Sequence, residues 1–185
     1  QPQTGWLSLE DWHSLASIDA TTTGLWFFNS GPDAGASQPH RHLQLLPRSE
    51  GERICARDDW FRCCAAGTTT SAQDPLLRSA RVAAISSTLT GEMLQALYLA
   101  LAEDLGLGHP STDECPRGAY NLLITRQWMA MVRRSREGIR GFSVNALGFA
   151  GSLLSTEVSD REWIHRSGPE ALLQAVVDTQ DLKVR

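Results

Sequence analysis

His40, His42 and Gln44 recur at every second position of His40-Arg41-His42-Leu43-Gln44, directly behind Gly35-Ala36-Ser37-Gln38-Pro39. In an extended strand alternate side chains point to one face. The spacing therefore predicts both imidazoles and the amide on one face, with Arg41, Leu43 and Leu45 on the other. Three polar groups in a row are poor core material, because each needs a partner once buried. They suit a site that grips a phosphoryl group and attacks it. A neutral imidazole is nucleophilic near neutral pH because its unperturbed pKa is about 6.5. Attack at phosphorus through His42, the central residue, would divide one transfer into two easier steps.

The turn in front supplies donors. Gly31 and Gly35 permit unusual backbone angles and a close approach, and successive N–H groups in such a turn form an anion-binding nest. Ser37 adds a hydroxyl, and Gln44 an amide that holds a phosphoryl oxygen without repelling it. Donors on both sides of the nucleophile would stabilise the transition state electrostatically. Two other readings of the histidine pair stand beside this one. One is a surface strand that happens to carry two histidines. The other is a Zn²⁺ site that recruits further nitrogen or sulfur ligands from His13, His109, Cys63 or Cys115.

These residues need elements to hold them. Ser8 caps a helix with acids in its first turn, and Leu9, Trp12, Leu15 and Ala16 follow helical spacing to about Ile18. Leu25-Trp26-Phe27-Phe28 reads as an aromatic strand, followed by dense turn chemistry over 29–35. The histidine strand is expected over about 38–46, ended by Pro47, and the two strands form a hairpin. Residues 49–85 are weakly patterned, with an exposed polar loop at Gly67-Thr68-Thr69-Thr70-Ser71. A helix is predicted from Ser87 to Leu105 on the stripe Leu94, Leu97, Tyr98, Leu101 and Leu105, ended by Gly106. Tyr120–Thr125 and Trp128–Val132 read as strands around a tight Arg126-Gln127 turn. Phe142–Leu154 is rich in Gly and Ala with Asn145 embedded, and Pro169–Val177 reads as a closing helix. Hairpins with separate helices indicate an α+β fold with an antiparallel sheet.

Composition sets bounds. The chain has 185 residues, 42% of them hydrophobic, with six Trp, which is enough for one packed domain. The net charge of −4 provides no basic field for nucleic acid. Lys183 is the only lysine, so any role that needs a lysine has no candidate in the body of the chain. Cys55, Cys63, Cys64 and Cys115 form no C-x-x-C motif and read as small buried or half-buried thiols. No apolar run approaches the ~20 residues that cross a bilayer, and no signal peptide opens the chain, so a cytoplasmic protein with no membrane partner is expected. The first residue is Gln1, which is consistent with a fragment of a longer polypeptide. Asn121 and Asn145 fit either backbone capping or ligand contact. Arg133, Arg134, Arg136 and Arg140 fit either a solvated face or an electrostatic gate for polyphosphate.

The segment from Asn29-Ser30-Gly31-Pro32-Asp33 through His40-Arg41-His42-Leu43-Gln44 closely resembles the H-x-H-x-Q motif of ATP adenylyltransferases, the diadenosine tetraphosphate (Ap4A) phosphorylases. These belong to the histidine-triad superfamily, on the galactose-1-phosphate uridylyltransferase branch. A second block resembles the family's C-terminal region: Tyr120–Thr125, Trp128-Met129, Val132 and Ser143–Gly151. The resemblance implies a HIT-like antiparallel sheet with flanking helices, the N-terminal part of the fold being missing from this chain. Residues 1–48 would be the second half of the nucleotide-binding core, 49–85 a connecting segment, and 86–185 the C-terminal region. Val132-Arg133-Arg134-Ser135 stands where the family tends to read Val-Pro-Arg-Ser.

The resemblance also implies roles. His42 would be the nucleophile that takes up AMP, with His40 supporting it and Gln44 beside it. Asn29, Gly35, Ala36, Ser37, Gln38 and Gln44 would contact phosphate. Asn121, Thr125, Met129 and Arg133 would approach the nucleotide from the C-terminal region. The implied reaction is Ap4A plus phosphate giving ATP plus ADP through an adenylyl-histidine. Mg²⁺ would arrive with the polyphosphate and no resident metal is expected. Alternatives are activity on adenylyl sulfate, or a non-catalytic nucleotide-binding remnant. The expected partners are Ap4A, ATP, ADP, phosphate and the missing front of the same polypeptide.

Overall fold

Four consecutive large side chains, Leu25 to Phe28, cannot all be buried by one helix face, but a strand buries them two and two. Strand β1 (Gly24–Asn29) does this. Leu25 and Phe27 enter one core, and Trp26 and Phe28 the other. The computed structural model describes residues 1–49, 52–70, 72–86 and 88–177. Ser71, Ser87 and Lys183, named above, lie outside the described residues.

β1 is the second strand of a five-stranded antiparallel sheet. The others are β2 (Gln44–Pro47), β3 (Ala80–Ala84), β4 (Tyr120–Ile124) and β5 (Trp128–Arg133), in the order β2-β1-β4-β5-β3. β4 and β5 form the expected tight hairpin, with Thr125 N–H donating to the Trp128 carbonyl at 2.9 Å. Helix α1 (Leu9–Asp19) and helix α3 (Gly91–Asp104) cover one face. α1 starts where expected, on Ser8, whose hydroxyl accepts from Asp11 N–H while the Asp11 carboxylate accepts from Ser8 N–H. Leu94, Tyr98, Leu101 and Leu105 are buried against this face, and Leu97 is half-buried. The opposite face is covered by α2 (Asp58–Ala65), α4 (Ala146–Ala150), α5 (Arg161–Ser167) and α6 (Pro169–Ala175). There Phe61 stacks on Trp128 with ring centroids 4.3 Å apart. Each fully buried aromatic of this kind stabilises the fold by about 1.5–3 kcal/mol relative to exposure. A short ribbon, β6 (Gly138–Ile139) with β7 (Phe142–Ser143), leads into α4. The α+β architecture is as expected.

Two expectations need correction. The histidine segment is not one strand over 38–46. Regular pairing with β1 begins only at Gln44. Before that the chain pairs with residues 1–3: Gln3 N–H donates to the Pro39 carbonyl, Arg41 N–H donates to the Gln1 carbonyl, and Pro2 bridges His40. The segment changes partner between His40 and Gln44. Arg41 is held on the far side, at 2.6 Å from the Asp11 carboxylate and 2.7 Å from the Trp6 carbonyl. The second correction concerns 49–85. This weakly patterned stretch contains α2, a 3-10 turn at Pro75–Arg78, and edge strand β3. β3 reads Ala-Arg-Val-Ala-Ala, which is poor strand material by itself, and its antiparallel ladder with β5 makes it a strand. Gly67, Thr68 and Thr70 are exposed, as expected of that loop.

Candidate functional site

β1 ends, β2 begins and β4 begins at one edge of the sheet, and the approach to α4 closes over it. A cavity of about 270 Å³ opens there, lined by Gln3, Phe27, Asn29, Gly35, Ala36, Ser37, Gln38, His42, Gln44, Asn145 and Leu147. Gln44 pairs directly with Phe27, which puts it on the α4 side of the sheet. The lining contains no carboxylate, lysine or arginine. Beside the apolar Phe27, Ala36 and Leu147, it presents amides, a hydroxyl, an imidazole and a glycine turn, a donor-rich surface that accepts an anion without repelling it.

The turn is shaped by Gly35. Its φ of +79° is the left-handed region, and a Cβ there would come within 2.7 Å of the Val144 carbonyl. Gly31 O accepts from both Ala34 N–H and Ala36 N–H, at 2.9 and 3.0 Å, which tightens the loop under the cavity.

His42 is held through its backbone. Its N–H donates to Gln3 Oε1 at 2.7 Å, and the other end of the same amide donates to the Asn29 carbonyl. Gln3 thus ties the nucleophile candidate to the end of β1. His40 is exposed and does not line the cavity. Its ring lies against that of His42, with centroids 4.2 Å apart. The alternation of the two histidines therefore survives without a continuous strand.

The orientation of Asn29 is fixed from behind. Its Oδ1 accepts from Asn121 Nδ2 at 2.7 Å and from Ala146 N–H at 2.8 Å, which leaves Nδ2, a donor, available to the cavity. Asn121 is wholly buried and also donates to the Ala34 carbonyl at 2.8 Å. Its Oδ1 in turn accepts from Arg134 Nη1. Arg134 is 3% exposed and lies over the Phe149 ring. It also donates to the carbonyls of Val144, Arg136, Glu137 and Val176 at 2.8–3.1 Å. Burial lowers its pKa to about 10, and it remains a cation at neutral pH.

Seven of the residues expected at the site converge: Asn29, Gly35, Ala36, Ser37, Gln38, His42 and Gln44. Others do not reach it. Asn121 sits behind Asn29 and meets no cavity space. Met129 is fully buried and faces the α1–α3 side, because side chains alternate along β5. Thr125 lies in the β4–β5 turn, about 13 Å further along β4 than Asn121, where its hydroxyl accepts from Gln127 and Trp128 N–H. Arg133 is half-buried and donates to the Leu105 carbonyl at 2.9 Å. The arginine run forms no single face. Arg134 is interior, whereas Arg140 is exposed and pairs with Asp160 at 3.3 Å. Gln3, Phe27 and Leu147 belong to the cavity and were not expected there. Asn145 had an ambiguous one and also caps α4. Among the described residues no group of three or more His, Cys, Asp or Glu could hold a metal ion.

A family model described as the ATP adenylyltransferase C-terminal domain matches residues 61–177, and one described as the Ap4A phosphorylase N-terminal domain matches residues 1–55. Two curated relatives from Saccharomyces cerevisiae (strain ATCC 204508 / S288c) are each 28% identical. "Protein APA1" aligns over 145 residues, 70% of this chain and 44% of the relative. "Diadenosine 5',5'''-P1,P4-tetraphosphate phosphorylase 2" aligns over 153 residues, 75% of this chain and 46% of the relative. The chain spans about half the length of these relatives. Among solved structures, the yeast Ap4A phosphorylase superposes with a TM-score of 0.71 at 21% identity, over 100% of this chain and 67% of that one. Its complex with Ap4A gives 0.66 at 22% identity, over 96% and 66%.

Proposed function

The chain belongs to the ATP adenylyltransferase family of Ap4A phosphorylases, and on that premise we propose that its cavity carries out adenylyl transfer through His42. Ap4A is the donor in this reading. An imidazole nitrogen of His42 forms a bond to the α-phosphorus of one adenosine, the bond to the bridging oxygen breaks, and ATP leaves. Inorganic phosphate then attacks the adenylyl-histidine, the P–N bond breaks, and ADP leaves with free His42 restored. Asn29 Nδ2, Gln44 and the 35–38 turn hold the phosphoryl oxygens as charge builds on them. Mg²⁺ would come with the polyphosphate and offset part of its charge, the lining offering it no carboxylate. Such nucleotide chemistry fits a cytoplasmic protein.

The observation that carries this reading is convergence. One imidazole lies among amide, hydroxyl and glycine-turn donors in a cavity that no acidic side chain lines. Incubation with Ap4A labelled at the α-phosphorus, quenched without acid, tests it. The expected result is label on the wild-type chain and none on His42→Asn, with release as labelled ADP on adding phosphate. Label retained by His42→Asn would sink the assignment. Release by sulfate in preference to phosphate would identify adenylyl sulfate as the physiological partner of the same step.

A further inference from the structure

The proposed cavity presents a puzzle. Its lining carries no lysine or arginine, yet in the reading above, on which this inference rests, it holds a phosphoryl group. Behind the lining lies a cation, Arg134, bonded to Asn121 and to the Val144 carbonyl. The guanidinium meets carbonyl oxygens and one amide, and the acids that bear on it, Asp33 and Glu137, act at a distance. Carbonyl acceptors solvate a buried cation without neutralising it.

We infer that Arg134 is a positioning residue for the anion: its charge reaches the cavity through Asn121 and Asn29. Each link is a hydrogen bond with a fixed direction. Arg134 Nη1 donates to Asn121 Oδ1, Asn121 Nδ2 donates to Asn29 Oδ1, and Asn29 Nδ2 is left for the ligand. Every amide in the series is oriented with its positive end toward the cavity, and a chain of polarised bonds strengthens its last donor. The arrangement does two things. It prevents Asn29 from flipping its oxygen toward a phosphate, and it lets a buried charge act on an anion it does not touch. The field of an interior cation with no carboxylate in direct contact is screened far less than that of a surface arginine.

The series fails if Asn121 cannot both accept and donate. Asn121→Asp keeps the shape and pairs with Arg134, but it neutralises the charge and removes the side-chain donor to Asn29, leaving only Ala146 N–H on its Oδ1. Asn121→Ser severs the same link without adding charge, and serves if the aspartate variant does not fold. Binding of AMP and of adenosine is measured by calorimetry on the intact chain, with thermal melts alongside. We expect the preference for AMP over adenosine to fall at least tenfold in the variant that folds, with adenosine affinity within about twofold. A merely structural role would weaken both ligands together, and an unchanged preference overturns the inference. If the wild-type chain binds no AMP and the His42 ring resonances do not move on its addition, the proposed function fails and this inference fails with it. If the wild type binds and the preference survives, only the Arg134 series fails.

Discussion

One side-chain amide, that of Gln3, accepts from the backbone N–H of His42 at 2.7 Å and donates to the carbonyl of Asn29. Gln3 is 3% exposed, so the two backbone groups it joins have no easy replacement from water. The candidate nucleophile is thus fixed by its peptide while its ring is free to face the cavity.

Gln3→Ala removes both bonds and should cost about 1–3 kcal/mol, the usual penalty for stranding buried polar groups. Urea unfolding checks the stability. Amide exchange at His42 is the more specific readout, and its protection should drop more than that of β4. Unchanged exchange at His42 would mean that Gln3 does not hold it.

Gly35→Ala forces a side chain into the left-handed region and against the Val144 carbonyl. The backbone penalty alone is about 1–2 kcal/mol. Relief requires the 31–36 loop to move away from Asn145, which opens the cavity. Nucleotide affinity should fall by more than the loss in stability implies, measured by calorimetry beside thermal melts.

The two histidines should separate kinetically. His42 lines the cavity and His40 only packs on its ring. His42→Asn should abolish covalent labelling, whereas His40→Asn should slow it by roughly 10-fold to 100-fold, the scale of losing a positioning contact. Rapid-quench labelling on both variants decides. Equal loss in both would place the two rings in one catalytic unit.

Cys55 gives a pH prediction. Burial pushes its thiol up to about 11 from an ordinary 9. Between these values the unfolded chain has released the proton and the folded chain has not, so the folded state binds more protons and stability falls as pH rises. The stabilisation is complete below pH 9 and is lost toward pH 11, by about 2–3 kcal/mol in all. Urea midpoints at pH 8.5 and 10.5 should fall less in Cys55→Ala than in wild type. Exposed Cys63 and Cys115 should alkylate at neutral pH while Cys55 resists.

Strands β1, β4 and β5 and helix α1 were readable because each is encoded locally. Ser8 with Asp11 forms a cap within one turn, the run Leu25–Phe28 is too apolar for anything but a buried strand, and Thr125 to Trp128 closes a hairpin within four residues. β3 and α2 were not readable. Ala80–Ala84 has little strand preference, and its conformation comes from a ladder with β5, some fifty residues later in the chain. The same distinction holds at the site. The contiguous glycine turn and the His-x-His-x-Gln spacing were visible, and their convergence in one cavity follows from one short stretch of chain.

By itself the sequence determined the chemical inventory of this protein: a family motif, a nucleophile candidate and a glycine turn with donors beside it. The tertiary structure decided which neighbours those groups have. It drew Gln3 from the first residues to the His42 peptide, turned Met129 to the far side of the sheet, and placed Arg134 behind Asn121 and Asn29 instead of on a solvated face. The physical reason is that side-chain direction along a strand is fixed by its period of two, while the identity of the group it meets depends on which distant strand, helix or terminus packs there.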